Sequence, residues 1–488
     1  MKEETFLKML MEKGVIMKKL IIILAILSLF LTCEMDKSTY IIVYNANGGN
    51  GGMKNSAHVY GTAKKLNKNT FTRDDYLFLG WSETPQGNVK YTDQQSVNNL
   101  TNDNGARITL YAVWHPTVIP GLNLAEKLAW LQRNRISGID YTIRVNANEI
   151  ISPTILSGKN IGITLKSTGA ICTIGLSSDG PLFTLYDGVT LTLDKNITLQ
   201  GRNNNNASLV QVCEGGTLIM NTGSRIIGNS IPYDDNYSPF PGGGVYVGGT
   251  FTMYGGEISD NSASSGGGVY VYGTFIMYGG EISDNIVYGT ITDSSGGSYP
   301  TYGIGGGVYV SHHDGIFIMT GGKISGNTSY ANSGGGGRGG GVAVDGTFTM
   351  TGGKISGNTA SGGDGYPARN SYGGGVYVGA IRNGSTFTMT NGKISGNTVY
   401  SNNYGYGGGV YVARGIFTKT GGTIYGYNEN DTVNSNKVMS PSWVSTAGNA
   451  VYARWNSVKS KETTAGPGVN LSWDFNDHSP VWSGDWDY

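Results

Sequence analysis

The sequence has no excess of charge of either sign: its 488 residues include 34 basic and 34 acidic side chains, and the formal net charge is zero. Such a balance provides no broad electrostatic field for capturing nucleic acid or an anionic membrane surface. A nucleic-acid partner is therefore not expected. From its length alone, the chain is expected to hold two or more domains.

Cysteine is scarce as well, with only Cys33, Cys172 and Cys213. Their spacing does not resemble a zinc site, and we predict neither a structural metal nor another cofactor. Cys172 and Cys213 lie in predicted strands, and two interpretations are open for them. They could pair with each other, or they could be small buried residues, which is the favoured interpretation.

Residues that would support catalysis or metal binding are few. Asp234 and Asp235 share one loop, and Glu257 and Glu281 occupy equivalent positions of two adjacent repeats. Lysines follow at that position in the next three repeats, so we interpret it as a solvated face rather than as the carboxylate pair of a glycosidase. The segment 312–314 contains two histidines and an aspartate, but without further ligands it is interpreted as an exposed turn.

Glycine, by contrast, is abundant: the 79 glycines are about twice the usual share. Many belong to a repeat between residues 242 and 397, which reads Gly-Gly-Gly-Val-Tyr-Val, a turn, Thr-Phe-Thr-Met and Gly-Gly-Lys-Ile-Ser-Gly-Asn. Its first valine recurs at spacings of 24, 39, 34, 34 and 34 residues, at Val245, Val269, Val308, Val342, Val376 and Val410. Recurrence on this scale predicts a solenoid, which buries apolar side chains rung by rung, so that an apolar content of 38% suffices.

Within each repeat, apolar side chains alternate with polar ones, which predicts three short strands per rung. Stacking the rungs aligns like residues into ladders of phenylalanine, methionine and isoleucine. An asparagine ladder from Asn229 to Asn397 is predicted at the bend after the third strand, where asparagine tolerates a left-handed backbone and can pair its amide with neighbouring rungs. The pattern resembles the right-handed parallel β-helix family, in particular the glycine-rich repeats of bacterial surface and autotransporter-type proteins. The expected fold class is mainly β, a parallel β-helix solenoid preceded by a small β-grasp-like domain.

The text between each asparagine and the next triple glycine varies from four residues, 262–265, to nineteen, 286–304. We predict that it forms loops, which project from one side of the solenoid because they recur at one point of the coil. Their tyrosine, serine, asparagine and glycine content suits recognition, although such residues also make tolerated flexible insertions. The candidate ligand-binding residues are Tyr233, Tyr237, Tyr288, Tyr299, Tyr302, Tyr330, Tyr366, Tyr372, Tyr400 and Tyr404.

A second row of tyrosines occupies the predicted outer side of the first strand. We interpret it as a stacked ladder that stabilises neighbouring rungs, in preference to a surface for a sugar or a protein partner. The row consists of Tyr246, Tyr270, Tyr309, Tyr377, Tyr411 and Tyr452, and Ala343 interrupts it.

Residues 38–115 form a separate unit. A predicted strand over 40–44 leads into the turn 45–49, and further strands are predicted at 76–81 and 110–114. Its aromatic residues suffice for a small β-grasp-like core. Over its whole length the unit resembles the Listeria–Bacteroides repeat, also called the internalin B-type repeat. That resemblance implies a surface spacer or a weak interaction module, and we favour the spacer.

Residues 1–33 are interpreted as an upstream extension, 1–16, followed by an export signal. The signal begins at Met17 with two lysines, continues as an apolar run and ends at Cys33. It resembles the lipobox of bacterial lipoproteins, which implies that Cys33 is the lipidation site and tethers the protein to a membrane without spanning it. An ordinary secretory signal and an uncleaved anchor are the alternatives.

The solenoid is predicted to occupy residues 123–456, after a linker at 116–122. A helix over 123–134, capped by Asn123, would cover its amino-terminal end, since exposed strand edges promote polymerisation. The asparagine ladder is expected to stop near Tyr427, and the tail 457–488, with Trp473, Trp482 and Trp486, would cover the other end.

These features favour a non-catalytic cell-surface lipoprotein, an adhesin or interaction scaffold that presents loops from a β-helix. Its partner would be a host or matrix protein or glycan, and its location the bacterial cell surface or outer membrane. The alternative is a pectin-lyase-like protein that binds or degrades polysaccharide. A structural surface-layer protein without a specific ligand is a third hypothesis.

Overall fold

The computed structural model describes residues 2–31, 38–232, 242–292, 298–300, 302–312, 314–331, 335–362, 370–379, 384–401, 404–427, 430–440, 443–445, 449–453, 469–473 and 480–483. The chain divides into two compact units, Met1–Thr117 and Val118–Tyr488. Cys33, Asp234, Asp235, His313 and Trp486 lie outside the described residues.

Helix α1, Lys2–Leu31, runs through both the predicted extension and most of the predicted signal. Its last turn contains no basic residue, and its apolar text falls in the second half. Over the described residues, no helix combines the length and the apolar character that crossing a membrane requires.

The rest of the first unit is a small β domain. Its four-stranded sheet has the order Ser56–Val59, Thr39–Asn45, Arg107–Pro116, Tyr76–Ser82, with the two central strands parallel. Lys64–Lys65 and Ser96–Val97 form a separate pair. Trp81 is fully buried at the centre, 4.9 Å from the rings of both Tyr44 and Phe78. The predicted aromatic core is therefore present.

The second unit is a parallel β-helix in which each coil contributes a strand to each of three long sheets. We name them sheets 1, 2 and 3 in the order of the first, second and third strands of the repeat.

Sheet 1 consists of Thr154–Leu156, Phe183–Leu185, Val210–Val212, Val245–Val247, Val269–Val271, Val308–Val310, Val342–Val344, Val376–Gly379, Val410–Arg414 and Val451–Ala453. Sheet 2 consists of Asp140–Val145, Ile161–Ser167, Val189–Leu193, Thr217–Met220, Thr250–Met253, Thr274–Met277, Ile316–Met319, Thr347–Met350, Thr386–Met389, Ile416–Lys419, Val469–Trp473 and Pro480–Ser483. Sheet 3 consists of Glu149–Ile151, Cys172–Leu176, Ile197–Gln200, Arg225–Ile227, Glu257–Ser259, Glu281–Ser283, Lys323–Ser325, Lys354–Ser356, Lys393–Ser395 and Thr423–Ile424.

The variable segments between each ladder asparagine and the next triple glycine also form strands. This corrects the prediction that these segments consist of loops. Sheet 4 follows the asparagine ladder and contains Ser262–Ala263, Ile286–Tyr288, Thr328–Ala331, Thr359–Gly362, Thr398–Tyr400, Lys437–Ser440 and Trp443–Ser445. Sheet 5 precedes the triple glycine and contains Gly303–Ile304, Gly337–Arg338, Ser371–Tyr372 and Gly405–Tyr406. Between them, Thr290–Thr292 and Ser298–Pro300 pair as a hairpin. The insertions therefore leave the coil between two further sheets.

The core is built from the predicted ladders. Phe251, Phe275, Phe317, Phe348, Phe387 and Phe417 are fully buried and stack in register at centroid distances from 4.5 to 4.9 Å. Cys172 and Cys213 are both free thiols, so the pairing that the sequence left open does not occur. Cys172 lies buried in sheet 3, where its thiol donates to the Val145 carbonyl oxygen at 3.4 Å.

The triple glycine is required by the backbone. The first glycine of the triplet has a left-handed conformation, with φ +68° at Gly407. At the second position the next rung approaches closely, so that a Cβ on Gly340 would lie 2.5 Å from the Gly374 carbonyl oxygen. A side chain at either position would therefore strain the coil.

The asparagine ladder extends further than predicted. It links Asn205, Asn229, Asn261, Asn285, Asn327, Asn358, Asn397 and Asn436, and from Asn229 onward each side-chain oxygen accepts from the preceding asparagine. The expected end near Tyr427 is wrong, because Asn397 donates its backbone amide and its Nδ2 to the Oδ1 atom of Asn436. The expected left-handed asparagine is also wrong: the residue before it adopts that conformation, as Asp284 does with φ +56° and Gly326 with φ +67°.

The ends of the β-helix are occupied by non-repeating elements. Helix α2, Leu124–Asn134, begins after Asn123, whose side chain accepts from the Glu126 amide at 2.9 Å, and it packs on Asp140–Val145 and Glu149–Ile151. At the other end, Val469–Trp473 pairs antiparallel with Ile416–Lys419, and Pro480–Ser483 pairs with Val469–Trp473.

Candidate binding surface

The outer faces of the three long sheets differ in chemistry. Positions that alternate with the core residues are mostly threonine and isoleucine in sheet 2, charged residues in sheet 3 and tyrosine in sheet 1. Sheets 4 and 5 lie between sheet 3 and sheet 1 in every coil that has them. The candidate tyrosines therefore divide between these two additional sheets and the insertions that join them.

The structure describes six of the ten candidate tyrosines with their side chains. Tyr288 and Tyr330 are adjacent in sheet 4, with ring centroids 6.4 Å apart and nearly perpendicular planes. Tyr302 and Tyr372 belong to the region of sheet 5, and Tyr400 ends a strand of sheet 4. Tyr404 is exposed and stacks against Tyr406 at 6.3 Å.

The remaining candidates are not described to the same extent. Tyr299 lies in the strand Ser298–Pro300, but its side chain is outside the described part of the chain. Tyr233, Tyr237 and Tyr366 lie outside the described residues altogether.

The tyrosine row of sheet 1 is stacked but it is not exposed along its whole length. Tyr377 and Tyr411 stack at 5.7 Å and are only 6% and 5% exposed. Tyr372 and Tyr406 of sheet 5 pack over them, with 4.6 Å between the ring centroids of Tyr372 and Tyr411. The expected outer stripe is therefore an internal aromatic cluster between sheets 1 and 5 at these rungs.

A charged group occupies the interruption of the row. Ala343 pairs with Tyr309 on one side and Tyr377 on the other, and Arg338 of sheet 5 lies on the same rung. The Arg338 guanidinium carbon is 3.4 Å from the centroid of Tyr302 and 5.4 Å from that of Tyr377. This rung therefore has Ala343 and Arg338 where the next two rungs have tyrosines in sheets 1 and 5.

Asp345, two residues beyond Ala343, adds a carboxylate to this rung. The Tyr309 hydroxyl donates to its Oδ2 at 2.7 Å. Burial raises the pKa of Asp345, although the Tyr309 hydrogen bond and the positive charge of Arg338 act in the opposite direction. Burial also raises the pKa of Tyr377 to about 12. The cluster thus holds one guanidinium and one buried carboxyl group among tyrosines.

Arg338 and Asp345 were not identified from the sequence. Each occurs at its repeat position only once in the regular text, so neither belongs to a recurring pattern. Ala343 was the signal that could have revealed them. It replaces the tyrosine of its row on the same rung that has a single charged side chain in sheet 5, which indicates that the packing between the two sheets differs at this rung.

The acidic residues of sheet 3 form separate ion pairs. The Glu257 carboxylate lies 3.0 Å from Arg225, and the Glu281 carboxylate lies 2.8 Å from Lys323. Burial opposes ionisation of Glu257, yet hydrogen bonds from Arg225 and Ser259 lower its pKa; the Lys323 and Ser325 hydrogen bonds lower the pKa of Glu281. A general acid needs a raised pKa, so this pair does not have the electrostatics of a glycosidase dyad.

No metal centre is formed by the side chains that the structure describes, since no three histidine, cysteine, aspartate or glutamate residues among them lie together. His312 lies 3.3 Å from the Asp314 carboxylate and stacks on Tyr272 at 5.8 Å. These contacts belong to a surface turn.

Comparison with protein families assigns the first unit. Residues 40–113 match the model of the Listeria-Bacteroides repeat domain, which confirms the resemblance inferred for 38–115. This repeat is typical of exported surface proteins, and its presence is consistent with an adhesin-like role. Neither the curated proteins nor the solved structures yielded a match to the chain.

Proposed function

We propose that this chain is an exported, non-catalytic bacterial surface protein whose β-helix carries an adhesive side formed by sheets 4 and 5 and their insertions. The observation that supports the proposal is that the longest variable segments of the regular repeats, such as 290–300 and 363–369, connect sheet 4 to sheet 5, while sheets 1 to 3 repeat nearly the same sequence in these rungs. A regular scaffold that varies on one side is the usual arrangement of a repeat protein with a binding surface. The partner would be a host or matrix protein or glycan.

Deletion of the insertions, without the strands beside them, tests this role. Removing 290–300 takes away the hairpin but keeps Ile286–Tyr288 and Gly303–Ile304, and removing 363–369 keeps Thr359–Gly362 and Ser371–Tyr372. We expect the double deletion to unfold at the same denaturant concentration as the parent protein and to lose binding to cultured host cells and to immobilised laminin, fibronectin and collagen.

A matched deletion of 380–383 serves as the control, because this segment follows a strand of sheet 1 and lies at another point of the coil. It should leave binding unchanged. If the parent protein binds and the double deletion binds equally well, the insertions are not the adhesive element.

We further propose that Cys33 carries a lipid that anchors the protein at the bacterial surface or outer membrane. The support is the order of two lysines, an apolar run and Cys33 in the sequence. Metabolic labelling with an alkyne fatty acid should mark the protein, and Cys33→Ser should abolish the label. Surface proteolysis of intact cells should degrade the labelled protein; an unlabelled or protease-shielded protein would contradict the proposed anchoring or exposure.

Saccharide binding is the second candidate function, and the exposed rings of Tyr288 and Tyr404 on this side of the β-helix favour it, because a tyrosine face suits a sugar ring. Cleavage of a polysaccharide is a separate matter. Polyuronates incubated with the protein, with and without calcium, should remain intact. Cleavage that disappears in Asp234→Asn or Asp235→Asn would replace the adhesin proposal by a pectin-lyase-like enzyme.

A further inference from the structure

Two exposed tyrosines stack on each other in the turns that join sheet 2 to sheet 3. Tyr254 follows the strand Thr250–Met253, and Tyr278 follows the strand Thr274–Met277 of the next rung. Their ring centroids are 5.2 Å apart, and their ring planes differ by 10°. The two residues are 54% and 49% exposed, respectively. The β-helix therefore holds two phenol rings against each other at a place that solvent reaches.

Among the tyrosine pairs of the β-helix that the structure describes, this one alone combines near-parallel stacking with exposure of both residues. Tyr377 and Tyr411 are also nearly parallel, with 5.7 Å between their centroids, but they are buried. Tyr288 is exposed, but the ring of its neighbour Tyr330 lies 6.4 Å away in a nearly perpendicular plane. These two pairs have one property each, so they provide controls for stacking and for exposure.

The coil does not need tyrosine at this position. The Tyr278 amide donates to the Met253 carbonyl oxygen of the preceding rung at 2.8 Å. In the four rungs that follow, a threonine amide makes the equivalent hydrogen bond, at Thr320, Thr351, Thr390 and Thr420. An exposed pair of rings also removes less apolar surface from water than a core ladder does. Packing alone therefore does not account for the two tyrosines.

We propose that Tyr254 and Tyr278 form a site of oxidative cross-linking, at which hydrogen peroxide and a haem peroxidase join the two rings as dityrosine. One electron and one proton leave each phenol, and the two phenoxyl radicals combine through the ring carbons next to the oxygen-bearing carbons. Each of these carbons then gives up its proton and each oxygen takes one up, which restores both aromatic rings and both hydroxyls. The pair loses two hydrogen atoms in total, and hydrogen peroxide is reduced to two molecules of water.

The structure favours this coupling because the two radicals form on rings that are already in contact. The thioethers of Met253 and Met277, which precede the tyrosines, are fully buried and thus shielded from the oxidant. The new bond connects two successive rungs, and a covalent link of this kind restricts the unfolded chain. The site lies between sheets 2 and 3, so the inference does not depend on the adhesive role proposed for sheets 4 and 5.

The test treats the purified full chain with a haem peroxidase and hydrogen peroxide at low protein concentration. Single chains are then isolated by size exclusion in guanidinium chloride. Cleavage after Glu257 and Glu281 places the two tyrosines on separate peptides. We expect a joined product with the mass of both peptides less two hydrogen atoms, with dityrosine fluorescence and with the bond between Tyr254 and Tyr278 by fragmentation.

Tyr254→Phe tests the assignment without removing the stack, because phenylalanine keeps the ring but lacks the hydroxyl that is oxidised. This variant should lose the joined product. Tyr288→Phe is the matched control at an exposed tyrosine with a perpendicular neighbour, and it should give the same yield as the parent protein. The cross-linked parent protein should also unfold at a higher urea concentration than the oxidised Tyr254→Phe variant.

Three results would overturn the inference. The first is the absence of the joined product under conditions that convert N-acetyltyrosine to its dimer. The second is an equal yield of this product from Tyr254→Phe, and the third is dityrosine that occurs only between chains. Equal urea midpoints for the cross-linked parent protein and the oxidised variant would reject a stabilising effect of the bond. None of these outcomes bears on the adhesion measured with the deletions.

Discussion

Asn327 shows how a single side chain joins three successive rungs. Its Nδ2 donates to the Ile282 carbonyl oxygen of the preceding rung at 2.9 Å and to Oδ1 of Asn358 in the following rung, also at 2.9 Å. Its own Oδ1 accepts from the backbone amide and Nδ2 of Asn285. All these groups are buried, so each depends on the ladder for its hydrogen bond.

We therefore expect Asn327→Ala to be strongly destabilising. The substitution leaves the Asn285 donors and the Ile282 carbonyl with lost partners, and the expected decrease in the free energy of unfolding is at least about 2 kcal/mol. Urea denaturation followed by circular dichroism would measure it. Asn206→Ala, at an exposed asparagine, is the control and should change stability by less than about 0.5 kcal/mol. Equal effects would mean that the ladder contributes little.

Asp345 leads to a prediction about pH. Burial raises its folded-state pKa above that of the unfolded chain, so its charge disfavours folding at neutral pH, and this penalty disappears as the pH falls through the raised pKa. Asp345→Asn removes the charge but retains an acceptor for the Tyr309 hydroxyl. The variant should therefore be more stable than the parent protein at pH 7, and the difference should shrink on acidification.

For Glu281 we expect the opposite effect of the ionised carboxylate on stability at neutral pH. The Lys323 hydrogen bond lowers its pKa, so its stabilisation is present above the unfolded pKa and is lost as the pH falls through the folded one. Glu281→Gln should be slightly less stable at pH 7, because the pair is largely solvent-exposed. Unfolding midpoints between pH 7 and pH 3 would compare the two variants; the same sign in both would contradict the assignment of burial as the cause at Asp345.

For individual residues, the sequence predicted the positions at which the same residue type recurs in many repeats. The phenylalanine and asparagine ladders were evident because each residue occurs in register many times. The left-handed residue was misplaced by one position, because Asp284 and Gly326 occupy it in different rungs and share no side-chain signal other than tolerance of positive φ. Arg338 was missed since no other rung has a cation there.

Among the elements, sheet 4 shows that the variable text contributes to stability. Val399 is fully buried, pairs with Ala360 and Val438 and forms a small apolar cluster with them. The insertions therefore begin after strands of sheet 4. The ordered β-helix thus includes part of the variable segments as well as the constant repeat.

Val399→Asp should open this sheet locally, because it places an unpaired carboxylate in the cluster. We expect faster amide exchange in Thr359–Gly362, Thr398–Tyr400 and Lys437–Ser440, with protection retained in sheets 1 to 3. Thr398→Asp is the matched control, since this neighbouring side chain is half-exposed, and it should leave exchange unchanged. Loss of protection in all five sheets would show that sheet 4 cannot open separately.

These strands could not be predicted from the sequence because they have two to four residues and differ in text from rung to rung. Ser329, Ala360 and Val399 occupy one ladder but share only small or apolar character. The neighbouring asparagine ladder brings these residues into register, because it holds the backbone segments of successive rungs at strand spacing where they leave sheet 3. That constraint is supplied by the three-dimensional stack and does not appear within any single repeat.

At the scale of the β-helix, the last rung of the stack has an edge that no further rung covers. Parallel rungs add to one another through backbone hydrogen bonds, and an open last rung presents unpaired groups to another molecule. The carboxyl-terminal end changes direction instead. Val469–Trp473 pairs antiparallel with Ile416–Lys419, and Trp443–Ser445 pairs antiparallel with Lys437–Ser440. The sequence indicated a terminal cover through its tryptophans, but not the reversal of strand direction.

Removing the terminal strands should make the protein self-associate. A chain that ends at Ala453 lacks both Val469–Trp473 and Pro480–Ser483, so the backbone of Ile416–Lys419 and the buried Phe417 lose the strand beside them. A second molecule can pair with that edge, and we expect higher-order species by light scattering after size exclusion. A chain that lacks only residues 484–488 retains both strands and is the control. If the longer truncation keeps its β-sheet circular dichroism and stays at the mass of the control, antiparallel pairing is not what closes this end.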